Sequence, residues 1–229
     1  MVVVGYDLPS SELAVKLAEQ HQGLWAAVGV HPHDAAVVDD DALACLRELA
    51  DSQGVVAIGE TGLDYYRDLS SREAQESVFR RCLELAEGLR LPVIVHCRAK
   101  KGRWDAQERA LEMLTCARPA KVIWHCFDGT REHAQRALKT GAVLSFGALF
   151  TYRPMEELRR VAAQVPSDRI LLETDSPYLP PGRDRGSDNE PANLPVIAGQ
   201  LARLRGETVA EVENVTTDNA LRSFGLGGR

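Results

Sequence analysis

The sequence predicts a parallel β/α fold, a TIM-type barrel of about seven strands. Two observations predict it. Short apolar runs of strand length alternate with segments of helical period. Most of those runs are rich in Val, Ile and Leu without polar alternation, as strands buried on both faces require. In chain order the strand candidates are Val2–Gly5, Leu24–Val30, Val55–Glu60, Pro92–Cys97, Lys121–Cys126, Ala142–Phe146 and Arg169–Asp175. Helix candidates lie between them. Ser10 or Ser11 serves as N-cap for a run with Leu13, Leu17 and Ala18 at helical spacing. Ser70 or Ser71 caps Arg72–Leu89, with Val78, Leu83, Leu85 and Ala86 among the inward candidates. Thr130 opens Arg131–Lys139, and Pro154 stands near the first turn of Met155–Gln164, since hydroxyls cap helices and proline suits the first turn. Repeated strand–helix units imply right-handed crossovers within one parallel sheet. A closed barrel of this type has eight strands, and this chain opens directly on a strand-like VVVG. The expected architecture therefore lacks the first β/α unit. Pro177–Pro195, rich in Pro, Gly and charge, reads as a long loop. With no internal repeat and no linker, residues 1–229 are expected to form a single domain.

Composition narrows the class of protein. The 229 residues suffice for one sizeable core. No apolar run approaches the roughly 20 residues of a membrane helix, and MVVVGYDLPSS has neither the basic start nor the apolar stretch of a signal peptide. Five cysteines without regular spacing do not form a disulfide framework, and Cys97 and Cys126 fall inside apolar runs. They read as buried thiols of a cytoplasmic protein. A net charge of −6 excludes a generalised nucleic-acid coat, which would be basic. It leaves room for an enzyme that grips a phosphodiester locally.

Chemistry concentrates where barrel strands end, because the loops there build the site. VVAIGE ends in Glu60, VIVHC carries His96, VIWHC carries His125, and ILLETD ends in Asp175. A carboxylate or imidazole at the end of an apolar run is costly unless paired or bound to a cation. Any one of these histidines is more often a hydrogen-bonded structural residue than a ligand. Glu60 alone suits a pair with Arg67, and Asp175 alone suits the turn of DSP. Four such residues at the ends of four strands are better explained together, as a mixed N/O site for a divalent metal ion: Zn, Mn or, with fewer imidazole contacts, Mg.

These same segments carry a resemblance. GETGLDYY (Gly59–Tyr66), PVIVHCR (Pro92–Arg98), HCFDG (His125–Gly129) and ETDSPYL (Glu173–Leu179) resemble the signature segments of the TatD family of metal-dependent deoxyribonucleases, in the family's order. GVHPH (Gly29–His33) and EVENVTTDNALRSFGL (Glu211–Leu226) are similar to its other recurrent segments. The resemblance implies a barrel hydrolase related to the amidohydrolases, with Glu60 as a metal-bridging carboxylate. It implies His96 and His125 as ligands, and Asp175 as a ligand that also handles the proton of water. One departure stands out. The family commonly opens on a strand with a His-x-His pair, and nothing here matches it. His31 and His33 have that spacing but belong to GVHPH, where the first His faces substrate. A metal position held by Glu60, His96 and His125 keeps all its ligands, while a second position keeps only carboxylates. One well-formed metal site and one weak or empty site are therefore expected.

The reaction implied is hydrolysis of DNA phosphodiesters, on single strands or at 3′ ends, with Asp175 as general base and Glu60 beside it at the reacting centre. Arg98, directly beyond His96, suits a phosphate oxygen because guanidinium matches phosphate bidentately, and His31 is the other substrate contact. DNA is the expected partner, a membrane is not, and the sequence sets no oligomeric state. Tyr65, Tyr66, Trp104 and Phe127 either stack on bases or pack beneath loops. Asp64 and Asp128 are candidates to orient a ligand imidazole from behind. Two rival readings remain at this point. One is an amidohydrolase-type enzyme acting on amides, lactones or phosphotriesters, and the other is a catalytically impaired barrel with a binding role.

Overall fold

The computed structural model describes residues 1–182 and 186–226. The chain forms two compact units, Met1–Ile123 and Trp124–Arg229. In the first, β1 (Val2–Val4), α1 (Leu8–Gln20), β2 (Trp25–Val28), α2 (Asp40–Ala50), β3 (Val55–Asp64), α3 (Arg72–Leu89), β4 (Val93–Arg98) and α4 (Asp105–Ala117) alternate as predicted. β1 pairs with β2, β2 with β3 and β3 with β4, all parallel. β5 (Val122–Trp124) spans the boundary. The second unit contains α5 (Arg131–Lys139), β6 (Val143–Phe146), α6 (Glu156–Gln164), β7 (Ile170–Leu172), α7 (Leu194–Arg205) and α8 (Val209–Ser223). β6 and β7 pair in parallel through Leu144–Ile170, Ser145–Leu171 and Phe146–Leu172. The strand count is seven among the described residues.

Local chemistry explains these elements. α3 turns Gln75, Val78, Phe79, Cys82, Leu83 and Ala86 inward, the repeat of three and four residues that puts one face on a core. Ser71 caps it by accepting from the Ala74 N–H, and Thr130 caps α5 in the same way through His133. In the first unit the strands bury Ala26, Ala27, Val28, Ile58, Val93 and Val95. The second unit is built on aromatic rings. Trp124 meets Phe127 at 5.7 Å, Phe127 meets Phe146 at 6.0 Å and Phe146 meets Phe150 at 6.4 Å, all edge to face, the arrangement ring quadrupoles favour.

Several boundaries differ from the sequence reading. α1 is capped by Asp7, and Ser10 completes the capping box three residues on, so the serine is the reciprocal partner and not the cap. Leu85 is only half-buried, and Phe79 and Cys82 fill the α3 face instead. Met155 precedes α6 as its N-cap without a side-chain bond. Within the expected loop Pro177–Pro195, Pro191–Asn193 forms a 3-10 turn and α7 begins at Leu194, while residues 183–185 lie outside the described residues. Cys82 and Cys97 are buried, but Cys45 and Cys116 are exposed, because their helices turn those positions to solvent. The strand ends shift most at β3, which runs four residues past Glu60 to Asp64. Among the described residues, no helix is long and apolar enough to cross a membrane.

Candidate metal centre

Glu60 does not end its strand; a bulge turns it aside. Ile58 pairs with Val93 but Thr61 pairs with Val95, so β3 carries one extra residue in between. A bulge of this kind re-aims a side chain while pairing resumes beyond it. Glycine makes the close approach feasible. A Cβ on Gly62, at φ +145°, would lie 2.0 Å from the His96 carbonyl oxygen, and one on Gly59 would lie 2.6 Å from that of Ile94. β3 and β4 therefore run close enough for Glu60 Oε1 to reach His96 Nδ1 at 2.6 Å.

Behind His96 stands Asp64, whose side chain is 1% exposed. Its Oδ2 lies 3.3 Å from His96 Nε2 and 2.9 Å from His33 Nε2. Its Oδ1 accepts from the Tyr66 and Arg67 N–H groups at 2.9 and 2.8 Å. Gln75, buried on α3, accepts from the Asp64 N–H at 2.8 Å and donates to the Ser70 carbonyl at 2.8 Å. Burial pushes the Asp64 carboxyl up, but His96 and the Arg67 N–H outweigh it and hold it well below the usual carboxylate range. Burial lowers His96, yet its bonds to Asp64 and Glu60 prevail and lift it to about 9.

His31 completes this cluster. Its Nε2 is 3.8 Å from Glu60 Oε1, and its ring sits 4.3 Å from that of His96. The potential ligand atoms of His31, Glu60 and His96 all lie within 4.8 Å of one another. Burial, then the neighbouring His96, lowers the His31 imidazole to about 3, so it is neutral near pH 7. Its Nδ1 accepts from the His33 N–H at 3.2 Å, which leaves Nε2 carrying the proton in the neutral ring. Arg98, at the end of β4, lies over the Tyr66 ring at 4.2 Å, a cation–π contact on the exposed side.

The second unit brings His125 and Asp175 together. His125 Nε2 lies 3.5 Å from Asp175 Oδ1. The other ring nitrogen, Nδ1, meets Glu173 Oε2 at 2.9 Å, and Glu173 Oε1 accepts from the Cys126 N–H at 2.9 Å. Ser145 on β6 donates to the same carboxylate. Cys126 at φ +42° and Asp175 at φ +59° both adopt the left-handed region. Non-glycine residues rarely do so outside turns and functional sites. Glu173 and Gln75 were not singled out from the sequence. The signal for Glu173 was present, as a second carboxylate two residues before Asp175 at the end of ILLETD. Gln75 gave none, because an amide on a helix reads as surface until its burial is known.

The donor set fits a divalent cation. Each of the two strand-end histidines has one ring nitrogen against a supporting carboxylate, Asp64 or Glu173, and the other beside a carboxylate that can share a cation, Glu60 or Asp175. Outer carboxylates of this kind fix the tautomer of a ligating imidazole. Replacing Glu173 by Ala is therefore expected to weaken metal affinity roughly 10–100-fold, read by calorimetric titration. Glu173→Gln, which keeps the shape but changes the donor pattern, should fall between the two.

Parallel strands with carboxylate-backed imidazoles at their ends define a metal-binding protein of the β/α class. The chain belongs to the TatD-related DNase family, whose model matches residues 1–225. It is 39% identical to the metal-dependent hydrolase YabD of Bacillus subtilis, over 98% of this chain and 86% of that protein. It is 41% identical to the 3′-5′ ssDNA/RNA exonuclease TatD of Cronobacter sakazakii, over 98% and 86%. Among solved structures it is similar to YJJV, a TatD homologue from Escherichia coli, with a TM-score of 0.90 and 28% identity across 98% of this chain and 85% of that one. An organophosphorus hydrolase from Deinococcus radiodurans, at 20% identity and a TM-score of 0.58 over 88% and 70%, shares the fold alone. The fold class is that of the TIM-type β/α proteins, as the strand–helix alternation predicts.

Proposed function

We propose that this chain is a divalent-metal-dependent nuclease that hydrolyses phosphodiester bonds of single-stranded DNA, working from 3′ ends. The observation that carries this reading is the 2.6 Å approach of Glu60 Oε1 to His96 Nδ1, backed by buried Asp64. Family membership and relatives named as single-strand exonucleases support the choice of substrate. Glu60, His96, His125 and Asp175 are proposed as the metal ligands. Their mix of imidazole nitrogen and carboxylate oxygen suits Zn or Mn better than Mg.

The ion, when bound, supplies charge for a phosphoryl oxygen and makes water a stronger acid. The chain's own residues do the rest. Asp175 takes the proton of the attacking water as general base; its side chain is one quarter exposed, so water reaches it. Glu60 shares the reacting centre as a carboxylate ligand. His31 is held neutral by burial, its Nδ1 accepts from the His33 N–H, and its Nε2 side is proposed to meet a phosphate oxygen. His31 is assigned to substrate even though it stands within the Glu60–His96 cluster. Arg98, steadied over Tyr66, meets a second phosphate oxygen.

Purified protein with Mn is expected to shorten a single-stranded oligonucleotide from its 3′ end, and EDTA is expected to stop it. A panel with lactone, cyclic amide and phosphotriester substrates should show no comparable turnover. Activity that persists in EDTA, or a preference for the lactone, contradicts the reading.

A further inference from the structure

The second unit holds a cleft of about 420 Å³ that none of the roles above uses. Arg153, Arg159 and Arg203 line it together with Thr151, Gln200 and Phe150. No carboxylate is in the lining. The nearby acids Glu156 and Glu157 are taken by Arg160, and among the described residues no ion pair joins the three cleft arginines to a carboxylate. Arg159 is half-buried and fixed by backbone: it donates to the carbonyls of Phe150 at 3.2 Å, Tyr152 at 2.7 Å and Arg153 at 3.0 Å. Those three bonds use three of the five guanidinium N–H groups. Three like charges around one concavity repel each other unless an anion sits among them.

The cleft wall is tied to the catalytic loops of its own unit. It begins at Phe150, three residues beyond Gly147, where a Cβ would stand 3.6 Å from Glu173. The Gly182 N–H donates to Thr151 Oγ1 at 3.2 Å, and the Tyr152 hydroxyl donates to the Pro180 carbonyl at 2.8 Å. Both contacts join the cleft to the loop that carries Asp175.

We propose that this arginine cleft binds a phosphate group of the nucleic-acid strand, at a nucleotide away from the bond being cut. Guanidinium forks match phosphate oxygens two at a time, and Phe150 and Gln200 add no charge against them. The inference rests on the nuclease reading above.

The test uses Arg153→Gln/Arg203→Gln, which spares Arg159 because that side chain holds the loop backbone. Binding of a fluorescent single-stranded oligonucleotide is followed by anisotropy in EDTA, across a series of salt concentrations. The double variant is expected to bind about tenfold more weakly. Its slope of log affinity against log salt should flatten by roughly 0.7, the share of one lost single-strand phosphate contact. Cleavage of a dinucleotide, too short to span the cleft, should be unchanged. Equal affinity and slope in the two proteins overturn the proposal. If inorganic phosphate binds the wild type as tightly as the strand, and the variant loses that binding, the cleft takes free phosphate and the strand assignment fails. Failure of dinucleotide cleavage in the wild type would instead count against the nuclease reading, which the anisotropy measurement does not touch.

Discussion

Glu60→Ala and His96→Ala are each expected to remove metal-dependent DNA cleavage, with metal affinity falling by more than the roughly 10–100-fold that loss of an outer partner costs. The two side chains touch at 2.6 Å and are both about one-sixth exposed. That contact is a direct hydrogen bond, and it holds one imidazole nitrogen and one carboxylate oxygen close enough to turn to a common cation. Neither substitution should unfold the chain. In His96→Ala the buried Asp64 keeps His33 and two backbone N–H groups as partners, so its charge is not left bare. The discriminating measurement is thermal unfolding with and without Mn. Wild type should gain stability on adding metal, since a ligand that binds only the folded state stabilises it. The variants should melt near the metal-free wild type and gain little. Cleavage retained by either variant would remove both residues from the chemistry.

Gly62→Ala is expected to destabilise the protein by about 3 kcal/mol or more, the range reserved for strained or overpacked sites. The added Cβ would meet the His96 carbonyl oxygen at 2.0 Å, and that atom belongs to the backbone of the neighbouring strand. It cannot swing away as a flexible side chain would. A φ of +145° adds a second penalty, because L residues rarely adopt it. Gly88 makes the contrast. It lies in α3 and its added Cβ would meet nothing within 4 Å, so Gly88→Ala should stabilise by up to about 1 kcal/mol. Urea unfolding of both variants checks the pair. Equal midpoints would mean that the β3–β4 approach is looser than described.

Much of the framework was readable from local signals. α3 and α5 begin and end where the spacing and the caps Ser71 and Thr130 place them, because capping is decided within four residues. The apolar runs located every strand, though most overran the strand by a residue or more and the β4 run stopped one residue short of Arg98. β3 was misjudged in the other direction. Its continuation past Glu60 depends on pairing of Thr61, Gly62, Leu63 and Asp64 with β4, and register between strands is not written in either strand alone. The same limit hid Glu173 and Gln75. Their roles come from what they touch, His125 and the Asp64 backbone, and those partners are 48 and 11 residues away in sequence. Asp64 was legible only as a residue near the rim able to orient an imidazole. Its contacts show that it meets two, His96 and His33. The expected Ser10 or Ser11 cap on α1 failed for a simple reason: Asp7, one residue before the helix, has a stronger acceptor in the right place.

A crystal grown with Mn or Zn, measured at the absorption edge of the metal, tests the heart of the matter. The expected result is an ion roughly 2.0–2.2 Å from a Glu60 carboxylate oxygen and from His96 Nδ1, with Asp64 still against His96 Nε2. An ion bound elsewhere, leaving Glu60 and His96 in direct contact with each other, would contradict it.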